Sequence, residues 1–519
     1  MLWHKSERGS PTLKKILAIL SILVVAFVAG LALLFSGGPD DPFIANYEAH
    51  CANCHGSELQ GVPGNGPTLV ESQLASGESV AELSKSIAHG IPRSEIPAYS
   101  HPLSADDIRG LAIYVAERRV DRLFADFRIE APVNLPRGTV RSEEADFTIE
   151  VVATDLDPLP FSIAPLPDGR ILLTVKQKGL RIVDSDGSVS DIIPGTPPAF
   201  DDSIELILVW GHGWLLDILP HPDFESNGWI YLHHTERCAD CRFPARSFNR
   251  VVRGRIRGGH WVDEEEIWDP GPEYYSFVPD IGAGGRLAFD DAGHLYISVG
   301  IKGSSNFDGV QDLAMPWGKI HRVHDDGRIP SDNPFIDRAG AYPTTWTYGH
   351  RSPQGLEFNH RSGTLWSTEM GPRGGDELNL LLPGRNYGWP LYSLGLDYDG
   401  TQVNYGELLD ITFDLNDIEQ PVVDMTPAPA VSSFIFYEGE AFPGWRGNAL
   451  VGSLKGSELY RIVLDEDNRM TDWEVLLSRL GRIRDIEAGY DDNVYLLLEH
   501  PEGAKILRLK PATRQVVQQ

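Results

Sequence analysis

Six related segments recur through most of the chain after residue 160, and they restrict the fold more than any other feature. Each contains an apolar stretch, a turn rich in Asp, Asn or Gly, and a second apolar stretch, which is the pattern of a β-hairpin. Regular repetition without helical periodicity excludes an α-solenoid and predicts a mainly-β protein, a six-bladed β-propeller with four-stranded blades. Such a propeller is expected to bind its ligand at one mouth of the central channel. The segments begin at Phe161, Leu215, Gly285, Pro353, Ser432 and Ile483.

A haem-attachment motif lies well before these repeats. Cys51 and Cys54 precede His55 in the pattern C-x-x-C-H, in which two thiols bind the haem covalently and the histidine ligates its iron. The spacing fits one helical turn, so the three side chains face the same porphyrin. A structural disulfide or a chance match is the alternative. Covalent haem predicts that this part of the chain transfers electrons.

The residues around the motif predict a small all-α domain. Helices are expected over 46–55, over 80–89 and after Ser104, which has Asp107 three residues later as in a capping box. This order resembles a small class I cytochrome c over residues 43–120. The resemblance implies an electron carrier with a second axial ligand to the iron.

The loop that carries this second ligand departs from the family. In small class I cytochromes c a methionine before Pro-Ala-aromatic supplies the ligand, whereas Ile96 precedes Pro97 here. His101 lies in the same loop and is the predicted replacement. His89, Tyr99 and a five-coordinate iron are alternatives, and so is a surface role for His101. Ligation by two histidines would give a lower reduction potential than ligation by His and Met.

The N-terminus predicts a membrane anchor. Basic residues precede an uninterrupted apolar run over 16–35, which is long enough to span a bilayer as a helix. Because the positive flank stays cytoplasmic, residues 1–15 are expected in the cytoplasm and both folded domains in the periplasm, at the inner membrane. A cleaved signal peptide is the alternative. The formal net charge of −29 makes nucleic acid a poor partner.

The remaining cysteines, Cys238 and Cys241, are three residues apart. In an oxidising compartment this spacing favours a local disulfide. A metal site that also uses His233 and His234 is the alternative.

Long motifs between the predicted strands resemble one family, the soluble-type quinoprotein sugar dehydrogenases of the glucose/sorbosone dehydrogenase family. The resemblance covers residues 146–512 and implies a propeller that uses pyrroloquinoline quinone (PQQ) and Ca²⁺. The domain prediction is therefore a cytochrome c domain over 41–125, a linker over 126–145 and the propeller over 146–512. The motifs are LAMPWGKIHRVHDDGRIPSDNPF (313–335), GHRSPQGLEF (349–358), TEMGPRGGDELNLLLPGRNYGWP (368–390), AFPGWRGNAL (441–450) and GRIRDI (481–486).

The family resemblance assigns cofactor-binding residues by position. Cations that hold the quinone carboxylates fall at Arg351, Lys455, Arg482 and Arg484. Arginine can bind a carboxylate through two hydrogen bonds, and Ca²⁺ prefers oxygen ligands, including backbone carbonyls. The predicted calcium ligands and their neighbours are Gly371, Pro372, Asp376, Glu377 and Tyr387.

The predicted catalytic base departs from the family. The family's base is a histidine in the pattern H-x-G-G-R-L, and Gly282 occupies that position here. His212 stands where the family usually has Gln beside the base, and it is the predicted relocated base. Met370, Ser352 and Ala428 are further departures near the cofactor.

These features predict a periplasmic oxidoreductase. It oxidises a sugar or polyol with PQQ and Ca²⁺, passes the electrons to its own haem and delivers them to a downstream respiratory acceptor. The alternative is a catalytically degenerate propeller that acts as a binding module beside an electron-transfer cytochrome. A different propeller chemistry, such as lactone hydrolysis, is a third possibility without a specific motif.

Overall fold

A computed structural model describes residues 42–70, 74, 77, 79–91, 97–120, 133–205, 209–241, 244–303, 305 and 307–512. The predicted cytoplasmic segment, the predicted anchor over 16–35 and Ile96 lie outside these residues. Within the described ranges, no helix is long and apolar enough to cross a membrane.

The haem-motif region is all-α, as predicted. Its helices are α1 (Pro42–His50), α2 (Ala52–His55), α3 (Val80–His89) and α4 (Ala105–Val120). The single helix expected over 46–55 is divided, because the chain turns at Cys51. The predicted capping box forms at the start of α4: the Asp107 amide donates to Ser104 Oγ at 3.1 Å, and the Ser104 amide donates to Asp107 Oδ2 at 3.1 Å.

The remaining described residues form the predicted six-bladed propeller. The first strand, β1 (Phe147–Leu156), is the outer strand of the last blade. Among the described residues, blade 1 has three strands instead of the expected four, and a short hairpin follows it. Blade 1 comprises β2 (Pro160–Pro165), β3 (Ile171–Val175) and β4 (Gly179–Val183), and the hairpin comprises β5 (Ile204–Glu205) and β6 (Val209–Trp210).

Blades 2 to 5 have four antiparallel strands each, in sequence order from the channel outward. Blade 2 comprises β7 (Leu215–Pro220), α5 (Phe224–Asn227), β8 (Ile230–Arg237), β9 (Ser247–Arg257) and β10 (His260–Trp268), and blade 3 comprises β11 (Gly284–Phe289), β12 (His294–Val299), β13 (Lys319–His324) and β14 (Thr345–Tyr348). Blade 4 comprises β15 (Pro353–Asn359), β16 (Thr364–Glu369), β17 (Glu377–Leu380) and β18 (Val423–Asp424), and blade 5 comprises β19 (Val431–Phe436), β20 (Ala449–Ser453), β21 (Leu459–Leu464) and β22 (Met470–Leu477).

Blade 6 closes the ring. It comprises β23 (Arg482–Ala488), β24 (Val494–Glu499) and β25 (Ala504–Pro511), and β1 pairs with β25 in the antiparallel sense. The innermost strand of each blade contacts that of the next, and β23 contacts β2. Strand β1 thus completes the last blade and joins the two ends of the ring.

One arginine ties several blades together in the channel. Arg286, in blade 3, pairs with Asp217 of blade 2 at 3.2 Å and with Asp485 of blade 6 at 2.7 Å. Its Nε donates to the carbonyl oxygen of Gln354 in blade 4 at 2.8 Å, and its guanidinium lies 4.6 Å from the centre of the Phe161 ring of blade 1. A buried charge with this many partners fixes the relative positions of the inner strands.

Loops before the innermost strands and after the second strands lie together at one end of the channel, which we call the mouth. Backbone hydrogen bonds connect these loops between blades: the Leu215 amide donates to the Lys176 carbonyl at 2.9 Å, and the Ile301 amide donates to the Arg351 carbonyl at 3.0 Å. The mouth is therefore a surface assembled from several blades, as predicted for the ligand site.

Candidate functional site

The haem motif has the geometry of an iron ligand held in one tautomer. His55 Nδ1 lies 2.8 Å from the carbonyl oxygen of Pro67. Because a carbonyl can only accept, Nδ1 carries the proton and Nε2 keeps its lone pair for a metal. Cys51 is half-buried, Cys54 is exposed, and neither forms a disulfide. These residues fit a covalently attached c-type haem.

The candidates for the second axial ligand differ in their surroundings. His101 and His89 are exposed at the surface. Tyr99 is half-buried, and its hydroxyl donates to the His50 carbonyl at 2.9 Å. Because this bond already fixes the Tyr99 hydroxyl, the two histidines are the side chains with accessible ring nitrogens. Ligation by His101 stays a prediction.

Arg482 and Arg484 share one carboxylate at the mouth. Arg482 Nε donates to Glu499 Oε1 at 2.7 Å, and Arg484 Nε donates to Glu499 Oε2 at 2.8 Å. Burial alone would raise the pKa of Glu499, but Arg484 and Arg482, with Lys176 beyond them, hold it well below its usual range. The Glu499 carboxylate thus fixes both guanidinium groups. Two cations and one anion leave the cluster with a net positive charge that can attract an anionic ligand.

Glu499 was missed by the sequence analysis, although strand pairing could have revealed it. In the antiparallel register of β23 and β24, Arg482 lies opposite Glu499. A cross-strand pair at the start of one strand and the end of the next brings both side chains to the same end of the blade.

Arg351 contacts the loop predicted to supply calcium ligands. Its NH1 group donates to the Gly371 carbonyl at 2.8 Å and to the Met370 carbonyl at 3.1 Å. The guanidinium also lies 5.1 Å from the Trp389 ring centre. The Gly371 carbonyl therefore points toward a cation at the mouth, although that cation is a guanidinium. The described residues contain no cluster of three or more His, Cys, Asp or Glu side chains arranged for a metal, so calcium stays a prediction that rests on backbone oxygens.

Lys455 and Lys176 complete the positive side of the mouth. Lys455 Nζ lies 3.7 Å from Glu117 Oε1 of helix α4. Lys176 Nζ lies 5.5 Å from the Phe161 ring centre and 5.7 Å from that of Trp214. Desolvation and then the guanidinium groups of Arg484 and Arg482 lower the pKa of Lys176 to about 7. Lys176 could not be predicted from the sequence, because no motif distinguishes it.

Of three other predicted site residues, Asp376 and Tyr387 are buried and Glu377 is half-buried. Asp376 accepts from the Gly371 amide at 3.1 Å and the Val431 amide at 2.9 Å, and burial raises its pKa to about 6. Desolvation, and then the charge of nearby Glu369, raises the pKa of Glu377 well above its usual value. The Tyr387 hydroxyl accepts from the Leu382 amide at 2.8 Å. In this arrangement Asp376 orients the loop, and roles in metal binding stay predictions.

Gly282, where the family resemblance implies the catalytic base, has no room for a side chain as the structure stands. A Cβ built on Gly282 would lie 2.7 Å from Ile301 Cγ1. Ile301 therefore occupies the space that a side chain at 282 would enter, and the assignment of the family's base to this position stays a prediction.

His212 is held in the tautomer of a general base. Ser247 Oγ must donate to Asp280 Oδ1, at 2.6 Å, because a carboxylate only accepts. Because the Ser247 hydroxyl proton is engaged with Asp280, Ser247 Oγ can only accept from His212 Nδ1, which lies 3.0 Å away. The proton of the ring is therefore on Nδ1, and Nε2 keeps its lone pair. Burial lowers the pKa of His212, which keeps the ring neutral. Lys302 Nζ, which donates to Asp280 Oδ1 at 2.6 Å, stabilises the carboxylate that orients this chain of bonds.

The predicted disulfide forms between Cys238 and Cys241. His233 and His234, which the alternative metal site would use, are buried in strand β8. His233 Nε2 lies 2.9 Å from Asn249 Nδ2. The cysteine pair is therefore a structural crosslink.

Comparisons with known proteins agree with this architecture. The family model described as glucose/sorbosone dehydrogenase matches residues 158–508, and the model described as cytochrome c oxidase, cbb3-type, subunit III matches residues 44–115. The chain is similar to aldose sugar dehydrogenase YliI of Escherichia coli, with 34% identity over 376 residues, which is 71% of this chain and 94% of the relative.

Solved structures show the same likeness. The crystal structure of the soluble aldose sugar dehydrogenase from Escherichia coli in its apo form aligns with a TM-score of 0.61 and 32% identity, over 70% of this chain and 100% of that one. The PQQ-bound form of aldose sugar dehydrogenase from Streptomyces coelicolor aligns with a TM-score of 0.53 and 26% identity, over 72% of this chain and 100% of that one.

Proposed function

Because this chain belongs to the glucose/sorbosone dehydrogenase family and carries a cytochrome c domain ahead of the propeller, we propose that it is a quinoprotein oxidoreductase. It oxidises a hydroxyl group of a sugar or polyol with PQQ and passes the electrons to its own haem. The observation that carries the proposal is the mouth itself, where a cluster of cations and a histidine whose Nε2 keeps its lone pair lie on loops at the same end of the channel.

The cation cluster suits a ligand with several carboxylates. When bound, PQQ supplies a two-electron acceptor for alcohol oxidation. Arg482 and Arg484 are buried and fixed by Glu499, so they would bind a carboxylate without a large loss of side-chain entropy. Arg351, Lys455 and the carbonyls of Gly371 and Pro372 are the further residues that would hold the cofactor and Ca²⁺.

His212 is the group that removes the substrate proton. Oxidation of an alcohol to a carbonyl releases two electrons and two protons, and a base must accept the hydroxyl proton. Nε2 of His212 has the lone pair for this step, and protonation of the ring places a positive charge 4.0 Å from Asp280 Oδ1. Asp280 therefore stabilises the imidazolium form that the step creates.

In this proposal the haem is the acceptor that takes the electrons from the propeller. A c-type haem accepts one electron at a time, so a two-electron oxidation requires two successive transfers and a downstream acceptor. The contact between helix α4 and the mouth, through Glu117 and Lys455, supports transfer within one chain.

Substrate-dependent haem reduction tests this function. The full chain, loaded with PQQ and Ca²⁺, is mixed anaerobically with a panel of aldoses and polyols, and the haem absorption is followed. We expect reduction with at least one substrate and none when PQQ is omitted. Absence of haem reduction across the whole panel, in protein that binds PQQ, would contradict the proposal.

We further propose that the protein is anchored to the inner membrane with both domains in the periplasm. The apolar run over 16–35, the covalent haem motif and the Cys238–Cys241 disulfide support an exported protein. Fractionation of cells, with a carbonate wash and protease added to spheroplasts, tests this. Protein released by the wash, or protected from the protease, would contradict it.

Gly282 is the observation that favours a second candidate function. With the family's base missing and its space filled by Ile301, the propeller is alternatively a binding module that serves the cytochrome. Folded protein that shows no PQQ binding by calorimetry would favour this candidate over the enzyme.

A further inference from the structure

The last helix of the haem domain lies against the rim of the mouth. Arg109 Nε donates to the Leu394 carbonyl at 2.8 Å. Two turns further along α4, Glu117 pairs with Arg373 NH2 at 3.3 Å and with Lys455 Nζ at 3.7 Å. The carboxylate of one domain thus lies beside a cation of the proposed quinone site in the other.

Apolar packing supports this contact. Leu396 of the propeller is 1% exposed and belongs to the apolar core of the haem domain. The Phe43 ring of helix α1 lies 3.8 Å from the Arg373 guanidinium, and a Cβ on Gly374 would lie 2.9 Å from Ile113 Cδ1. Side chains that share a core and leave no room for a methyl group indicate a specific docked position.

One propeller loop contacts both the proposed quinone site and the haem domain. The Gly371 carbonyl accepts from Arg351 on the quinone side, whereas Arg373, two residues later, contacts Phe43 and Glu117 on the haem side. Movement of the haem domain would therefore disturb the loop that forms the quinone site.

We propose that docking of the haem domain and binding of the quinone compete for Lys455 through Glu117. The inference rests on the proposed function, because it takes a tricarboxylate as the ligand of Lys455. With side-chain exposures of 17% for Lys455 and 9% for Glu117, their attraction is only partly screened by solvent and salt. A quinone carboxylate at Lys455 meets a cation that is already partly neutralised. Quinone binding then loosens the docked haem domain, and docking weakens the hold on the quinone.

Glu117→Gln tests the competition by removing the charge while keeping the side-chain size. We expect PQQ, titrated with Ca²⁺ into the quinone-free full chain, to bind about three- to tenfold more tightly, as for loss of one partly screened repulsion. Glu58→Gln is the matched control, because Glu58 is an acid of the same domain that pairs at 3.9 Å with Arg118 of its own domain. The control should bind as the wild type does.

Arg109→Ala separates the coupling from a local charge effect. Loss of a positive charge by itself weakens the binding of an anion, but loss of the bond to Leu394 weakens docking. Competition therefore predicts tighter PQQ binding in Arg109→Ala, by about twofold or more. Dissociation constants are measured by quenching of tryptophan fluorescence, and the haem spectrum verifies folding.

The outcomes separate this inference from the proposed function. Wild-type protein that binds no PQQ contradicts the proposed function and the inference together. PQQ binding that is unchanged or weaker in Glu117→Gln overturns the inference alone. Tighter binding in Glu117→Gln with unchanged or weaker binding in Arg109→Ala shows a local effect of Glu117 and overturns the coupling to docking.

Discussion

The mouth of the propeller has two unlike halves. On blades 4 to 6, the predicted cations Arg351, Lys455, Arg482 and Arg484 are all present and held by carbonyl or carboxylate oxygens. On blades 2 and 3, Gly282 stands where the family resemblance implies the base, Ile301 lies against it and His212 bonds to Ser247. The difference teaches that binding of the cofactor and removal of the proton are separable requirements. Under the proposed function, the anion-binding cations are the ones that the family resemblance implies, whereas proton transfer falls to a different side chain, His212.

The largest effect is expected from His212→Gln, which removes the predicted base on blades 2 and 3 and leaves the cations on blades 4 to 6 unchanged. Glutamine can still donate to Ser247 but has no basic nitrogen, so the rate of substrate-dependent haem reduction should fall by about 10²–10⁴-fold. Stopped-flow absorbance of the loaded full chain measures the rate. His260→Gln, at an exposed histidine of β10, is the control and should react as the wild type does. A His212→Gln rate equal to that of the wild type would show that another group is the base.

Glu499→Gln disrupts the charge arrangement of the other half, on blades 4 to 6. It leaves Arg482 and Arg484 buried without their shared carboxylate, and the free energy of unfolding should fall by about 3–5 kcal/mol. Because the folded-state pKa of Glu499 lies well below its usual range, its stabilisation is fully present at neutral pH and is lost only in strongly acidic solution. Urea denaturation followed by tryptophan fluorescence measures the change, with exposed Glu466→Gln as the control. Equal stability of Glu499→Gln and wild type at neutral pH would contradict this account of the cluster.

Gly282→His sharpens the comparison by introducing the residue that the family resemblance implies at this position. The new Cβ would lie 2.7 Å from Ile301 Cγ1, so we expect a loss of about 1–3 kcal/mol in stability and no gain in rate. Adding Ile301→Ala should recover most of the lost stability, as measured by thermal unfolding. A single variant as stable as the wild type would refute the packing explanation for the missing base.

The smallest effect concerns Lys176, which lies between the two halves. Its pKa of about 7 means that it attracts carboxylates below neutral pH and loses that charge above it. PQQ binding should therefore weaken by about three- to tenfold between pH 6 and pH 8, and Lys176→Met should remove most of this dependence. Titrations at several pH values, with Lys510→Met as the control, measure it. A Lys176→Met variant with the full pH dependence would assign the titration to another group.

The fold was predictable because its signal repeats. Each of the six hairpin segments became the inner pair of strands of one blade, and the capping box at Ser104 and the disulfide at Cys238 followed from local spacing. The three-stranded form of blade 1, as far as the described residues show it, and the turn at Cys51 were not predicted, since no local pattern marks them.

The site was predictable only where a motif carried it. The family's motifs predicted four cations that lie on loops at one end of the channel, whereas their role in cofactor binding and the loss of the base at Gly282 stay predictions. The tautomer of His212 depends on Ser247 and Asp280, which approach it only through the fold. Likewise Glu117 and Lys455 are far apart in sequence and belong to different domains, so only the structure brings them together.

The comparison between the two halves is tested most directly by PQQ binding to three forms of the full chain. Calorimetric titration with Ca²⁺ present should show saturable binding to the wild type and an affinity within about twofold of it for His212→Gln. Lys455→Gln should bind about 10- to 100-fold more weakly, as for loss of a charge-assisted hydrogen bond. A wild type that does not bind PQQ, or a His212→Gln variant as defective as Lys455→Gln, would contradict the division of the mouth into a binding half and a proton-transfer half.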